Sequence, residues 1–223
     1  MASRGRGRPA AGDPATPSDG ELLDAALVAF ADRGFDGTSV RELARALGVS
    51  HNLIPQRFGS KEQLWYLAVD HGFGRLAAEM GAALADPPGD DVAQLRALVV
   101  RFVAANATRP SLLRIINQEA ASPGPRLDFL FERYIEPVRQ FGATVLADLQ
   151  ASGKVRTSSV ALMYFLMTHG AGGPLSLGAL AERFGETVDP DDPEAVRRYS
   201  EEAVEVLFEG LLTRGDEPEP GVN

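Results

Sequence analysis

The chain reads as an all-α protein of about nine helices, an N-terminal three-helix head and a C-terminal six-helix body. Three observations predict this. Apolar residues recur at spacings of three and four, and no segment sustains the alternation of a half-buried strand. Three helix starts carry a Ser-x-x-Glu/Gln box, at Ser18 with Glu21, Ser39 with Glu42 and Ser60 with Gln63. In such a box the hydroxyl satisfies an orphan amide and the longer side chain returns to the amide of the cap residue. Finally, Gly/Pro-rich breaks punctuate the rest of the chain at 86–90, 108–110, 122–125, 151–154 and 185–194.

In order, residues 1–17 lack periodic apolar positions and read as a disordered basic arm. Leu22, Leu23, Ala26, Leu27 and Phe30 then mark one face of a helix over about 18–33, ended by Gly34. A second helix, 39–47, buries Val40, Leu43, Ala44 and Leu47 and stops at Gly48. A third, capped by Ser50, reaches Arg57, and Ser60 opens a longer fourth that runs to about residue 85. The breaks delimit further helices near 90–107, 111–121, 126–151, 158–181 and 195–213, followed by a frayed tail over 215–223. The domain reading is therefore an arm at 1–17, a three-helix head at 18–65, a helical body at 66–214 and the tail at 215–223.

The net charge of −9 hides an asymmetry along the chain. Residues 1–61 hold eight Lys/Arg against seven Asp/Glu, and the remainder holds fourteen against twenty-four. Local charge decides what docks where, so the N-terminal quarter is the candidate polyanion face. With no cysteine, neither a disulfide framework nor a thiolate metal site can form. The three histidines, at 51, 71 and 169, stand far apart, and no phosphate-cradling glycine loop or metal-ligand spacing occurs. The expectation is a protein without metal, cofactor or catalytic residues, cytoplasmic and not membrane-bound.

Helix 39–47, the turn "LGVS" and helix 51–57 have the length and glycine placement of a helix-turn-helix, whose second helix enters the DNA major groove. Val49, Ile54 and Phe58 would fix that helix to the first two, leaving Ser50, His51, Asn52, Leu53, Pro55, Gln56 and Arg57 outward. Asn and Gln pair bidentately with adenine, His and Arg reach base edges or phosphates, and Leu meets a thymine methyl. Lys61, at the amino end of the next helix, suits a phosphate.

The run "GFDGTSVRELARALGVSHNLIPQRFGSKEQLW" resembles the helix-turn-helix signature of the TetR family of repressors. The glycine, Thr38-Ser39, the Leu-Ala pair, Gly-Val-Ser, the aromatic Phe58 and Ser-Lys-Glu fall at that family's spacing, and the DNA-facing set accordingly includes Thr38, Ser39 and Arg41. The resemblance implies a homodimer whose two heads read a palindrome in double-stranded DNA, and a body that releases DNA when a small molecule binds. Pro55 departs from it, standing where the family usually has a tyrosine beside the phosphates. If Ser50 is the cap, Pro55 removes one helical hydrogen bond at a cost approaching 3 kcal/mol, less if the last turn tightens. In the arm, "RGRGRP" resembles an AT-hook core in which Arg6 and Arg8 enter a narrow minor groove. The alternative is a merely solubilising tail.

Residues 157–181 contain no Asp, Glu, Lys or Arg. Their glycines, proline, histidine and hydroxyls argue against a membrane span, and a helix apolar all round is buried on two sides. One side would face its own body and the other, with Val160 and Tyr164, a second subunit. In the last helix Val196, Tyr199, Ala203, Val206 and Gly210 recur as the seam of a close helix pair, either between subunits or within the chain. Pocket-lining candidates are Phe102, Leu113, Ile116, Asn117, Phe131, Tyr134, Met163, Met167 and His169. A mostly apolar set favours a hydrophobic or amphipathic effector, although acidic residues such as Glu119 could receive a cation. The leading expectation is a ligand-responsive dimeric repressor. The alternative is a DNA-binding regulator or architectural protein without an effector, which a closed, dry body would favour over an enclosed pocket.

Overall fold

A computed structural model describes residues 17–85, 89–185 and 187–212. The arm with Arg6 and Arg8 and the tail lie outside these residues. The head comprises α1 (Asp19–Gly37), α2 (Val40–Ala46), α3 (Leu53–Phe58) and the start of α4 (Lys61–Ala85). The body adds α5 (Asp91–Ala107), α6 (Pro110–Glu119), α7 (Pro125–Leu130), α8 (Glu136–Ala151), α9 (Val160–Phe165), α10 (Gly173–Ser176), α11 (Gly178–Phe184) and α12 (Pro193–Leu211). No strand occurs among the described residues, only an isolated bridge between Val155 and Leu212.

The serine boxes act as local geometry requires. At Ser18 and Ser60 both reciprocal bonds form, with Glu21 N–H on Ser18 Oγ at 3.3 Å and Gln63 N–H on Ser60 Oγ at 3.1 Å. At Ser39 only the amide of Glu42 is satisfied, at 3.4 Å, because the Glu42 carboxylate lies 3.6 Å from Arg33. Each cap contributes about 1 kcal/mol. α1 turns at Gly34, whose φ of +72° suits a residue without Cβ.

Two predicted long helices are broken by π turns. Phe131–Ile135 separates α7 from α8, and Leu166–Ala171 separates α9 from α10. Each lies just before a proline. Pro137 has no N–H to offer the carbonyl four residues back and its ring crowds that carbonyl, so the coil widens and Glu136 N–H donates to Phe131, five residues back. Pro174 has the same effect, with Gly172 N–H donating to the Met167 carbonyl at 3.0 Å. A further break at Leu177 starts α11.

α4 is the spine. Its Leu64, Trp65, Ala68, Val69, Phe73 and Leu76 are buried against α1, and the same cluster takes in Leu112 and Ile115 of α6 and Leu130 of α7. Gly72 permits this approach: a Cβ there would lie 2.5 Å from Leu27 Cδ2 and 3.0 Å from Leu112 Cδ2. The head thus shares one core with the first half of the body. A second cluster joins α5, α10 and α12 through Val99, Val103, Leu175, Val204 and Phe208, and a third joins α8 to Leu211.

Candidate DNA-reading face and apolar cavity

α2 and α3 meet through the buried Leu43, Ala44, Ile54 and Phe58. This burial leaves Arg41, Ser50, His51, Asn52, Pro55, Gln56 and Arg57 exposed, with Ser39 and Leu53 half-buried. α3 begins later than predicted, at Leu53 with Asn52 in the cap position. Ser50 is not that cap; its Oγ accepts the Asn52 amide at 3.4 Å and closes the preceding turn. Pro55 is consequently the third residue of the helix, inside the first turn, where the amide has no helical partner to lose. The first ladder bond runs from Gln56 N–H to the Asn52 carbonyl at 3.0 Å, so the loss of a hydrogen bond expected from the sequence does not arise. Asn52, Pro55 and Gln56 share one outward face, at the spacing that brings helical neighbours together.

Three predicted DNA-facing residues are engaged internally. Thr38 is 3 % exposed, and its hydroxyl donates to the carbonyls of Ala29 and Gly34 at 3.0 and 2.7 Å, so it braces the end of α1. Arg57 donates to the Pro17 carbonyl and to Asp19 at 3.0 and 2.9 Å. Lys61 donates to the Asp36 carbonyl at 3.3 Å, with its ammonium 4.7 Å from the Phe35 ring centre. In each case a donor finds a carbonyl or carboxylate within the chain, Thr38 and Lys61 around the α1–α2 turn and Arg57 at the start of α1. Arg45, not singled out from the sequence, is exposed beside Arg41.

The body contains a partly open apolar cavity of about 450 Å³ lined by α4, α5, α6, both π turns, α8, α9 and α12. Of the predicted lining, Phe102, Leu113, Ile116, Tyr134, Met163 and Met167 face it. Asn117, Phe131 and His169 do not: Phe131 and His169 are exposed, and His169 Nδ1 lies 2.8 Å from the Thr168 hydroxyl. Glu119 also lies outside it, paired with Arg126 at 2.9 Å. The sequence reading missed the contribution of α4, through Phe73, Leu76, Met80 and Leu84, and the polar members Asn106, Thr168, Arg133 and Arg139. Asn106 is 2 % exposed and donates to the Phe102 carbonyl at 2.8 Å. Thr168 donates to the Tyr164 carbonyl at 2.8 Å.

Val160 and Tyr164, expected at a subunit interface, line this cavity instead, and burial pushes the Tyr164 phenol up to about 12. Val196 is buried and Tyr199 and Ala203 pack in the same intrachain cluster, the Tyr199 hydroxyl donating to the Ala171 carbonyl. The seam of α12 is in that part filled by its own body, while Val206, 68 % exposed, and Gly210 remain outward. Exposed apolar side chains gather before and within α11, at Leu162, Phe165, Leu166, Leu177, Leu180 and Phe184.

At the rim, Tyr134 donates its hydroxyl to Asp70 of α4, and Arg133 Nε donates to the same oxygen at 2.7 Å. Burial, and then the bond to Asp70, raise the Tyr134 phenol above its ordinary value. Arg139 holds Glu136 through two hydrogen bonds and, with Gln140, depresses its carboxyl to about 2.

Residues 22–65 match the model of the bacterial regulatory proteins of the tetR family. Among known proteins, the chain is 40% identical over 68 residues to the HTH-type transcriptional repressor AcnR of Corynebacterium glutamicum, covering 30% of this chain and 36% of that protein. To the HTH-type transcriptional activator FasR of Mycolicibacterium smegmatis it is 33% identical over 105 residues, 44% and 48% of the two chains. The chain thus spans between about a third and a half of the length of these curated relatives. Its fold is similar to that of the ketosteroid transcriptional regulator KstR2 of Mycobacterium tuberculosis, with a TM-score of 0.70 at 20% identity over 90% of this chain and 99% of that one. AibR in complex with isovaleryl coenzyme A and operator DNA is similar at a TM-score of 0.65 and 20% identity, over 84% and 96%. The chain thus carries a head that matches the tetR family model over residues 22–65, on an all-α body whose fold is similar to that of solved transcriptional regulators.

Proposed function

We propose that the chain is a DNA-binding transcriptional repressor that holds a palindromic operator as a homodimer and releases it when a small hydrophobic or amphipathic ligand enters the body. The observation that carries this reading is the apolar cavity, whose wall includes Phe73, Leu76 and Met80 of the helix that begins at the DNA-facing turn. Its volume of about 450 Å³ falls in the range of small-molecule sites, and its few polar groups match their usual lining. An architectural protein would have no use for such a chamber. The repressor sign follows AcnR, and small-molecule control follows AibR, whose complex holds isovaleryl coenzyme A and operator DNA.

On the DNA side, His51, Asn52 and Gln56 read bases, with Ser50, Leu53 and Pro55 shaping the surface and Ser39 and Arg41 toward the backbone. A second copy covers the exposed Leu162, Phe165, Leu177, Leu180 and Phe184 together with Val206 and Gly210. The test is selection of random duplexes by the purified protein, with the mass of the complex determined. A palindrome held by a dimer supports the proposal; a single half-site held by a monomer overturns it. In a reporter strain, deletion of the gene raises expression from the selected operator if the protein represses, and lowers it if the protein activates.

A further inference from the structure

The two cations on the cavity lining are occupied differently. Arg139 commits Nε and Nη2 to Glu136, at 2.5 and 2.6 Å. Arg133 commits only Nε, to Asp70 at 2.7 Å and to the Tyr134 hydroxyl at 3.3 Å. Among the described residues its terminal nitrogens, Nη1 and Nη2, have no hydrogen-bond partner, and its side chain is 57% exposed. The guanidinium carbon stands 5.9 and 5.8 Å from the ring centres of Phe129 and Tyr134, which limits the directions the fork can take. No aspartate or glutamate appears among the described residues that line the chamber.

A planar fork with two open N–H edges at the mouth of an apolar chamber is the donor set for a carboxylate or phosphate, taken bidentately. A neutral hydrophobe would leave that edge to water, and a cationic ligand would meet two arginines with no acidic lining residue to receive it. Resting on the sensor reading above, we propose that the effector is an amphipath with one anionic end, its apolar body in the chamber and its anionic oxygens on Nη1 and Nη2 of Arg133. The anion, Arg133 and Asp70 then form a continuous chain from ligand to α4.

The test is calorimetric titration of the full chain with decanoate, decyl phosphate, decanol and decylamine. Decanoate or decyl phosphate is expected to bind at least about tenfold more tightly than decanol, and the better of the two identifies the anion. In Arg133→Gln this preference falls to within about twofold while decanol affinity is kept; in Arg139→Gln, whose arginine already gives its Nε–Nη2 edge to Glu136, the preference survives. Equal binding of decanoate and decanol to the unmutated chain, tighter binding of decylamine, or equal weakening of all probes in Arg133→Gln overturns the proposal while leaving the sensor reading intact. Failure of every probe to bind overturns both.

Discussion

The Thr38 hydroxyl lies between the carbonyls of Ala29 and Gly34, at 3.0 and 2.7 Å, in a side chain almost wholly buried. Thr38→Val keeps the shape and removes the donor. Buried acceptors left unmet cost about 1–3 kcal/mol each, partly offset here because carbonyls in helices retain backbone partners. A loss of about 1–2 kcal/mol in urea unfolding is expected, with base preference unchanged once folded protein is compared. A shift in base preference instead would return Thr38 to the DNA-reading set. Pro55 has the opposite character. Because its missing amide lies in the first turn of α3, Pro55→Ala changes stability by less than about 1 kcal/mol, mainly through the added freedom of the unfolded chain. A loss near 3 kcal/mol would mean that the ring is wedged into contacts of its own.

Helices in this fold are decided at their ends and at their prolines. The serine boxes at Ser18, Ser39 and Ser60 were legible because capping involves residues three apart in sequence and nothing else. The π turns before Pro137 and Pro174 carried a readable signal, the prolines themselves, but periodicity alone passes through a one-residue widening without a visible break. The α12 stripe shows a different limit: a heptad spacing says that Val196, Tyr199 and Ala203 meet a helix, and only tertiary structure says that the helix belongs to the same chain. Asn106 and Thr168 were invisible as cavity residues because each bonds a carbonyl four residues back, a habit shared by polar residues anywhere on a helix. The first turn of α8 offers a pH test. The Arg139 guanidinium, assisted by Gln140, holds Glu136 at about 2 rather than 4.5, so its stabilisation is fully present above the ordinary value and is lost as pH falls toward the depressed one. The melting temperature of the unmutated chain should therefore exceed that of Glu136→Gln at neutral pH, with the gap closing between about pH 4.5 and 2. A gap that stays constant through that window would show that the charge pair is not its source.

At the scale of the whole molecule, the head has no core of its own to move on. α1, α4 and α6 are knit at Gly72, by Gln118 Nε2 on the Ala31 carbonyl at 2.6 Å, and by ion pairs of Arg114 with Asp32 and Arg109 with Glu79. Under the proposed sensor function, a ligand in the body would reach the candidate DNA-reading face by displacing α4 together with its neighbours, and only by binding one head arrangement better than the other. Asp70 is the point where the cavity rim grips α4, through Tyr134 and Arg133. Asp70→Asn keeps an acceptor for the tyrosine hydroxyl and removes the charge that holds the guanidinium. Operator affinity measured with and without saturating decanoate gives the coupling factor, and linkage requires that operator change decanoate affinity by the same factor in the unmutated chain. In Asp70→Asn both factors should move toward one, while decanoate still binds within about threefold because Arg133 and the apolar walls remain. If decanoate released DNA from Asp70→Asn as fully as from the unmutated chain, the coupling would run through α6 and its ties to α1 instead.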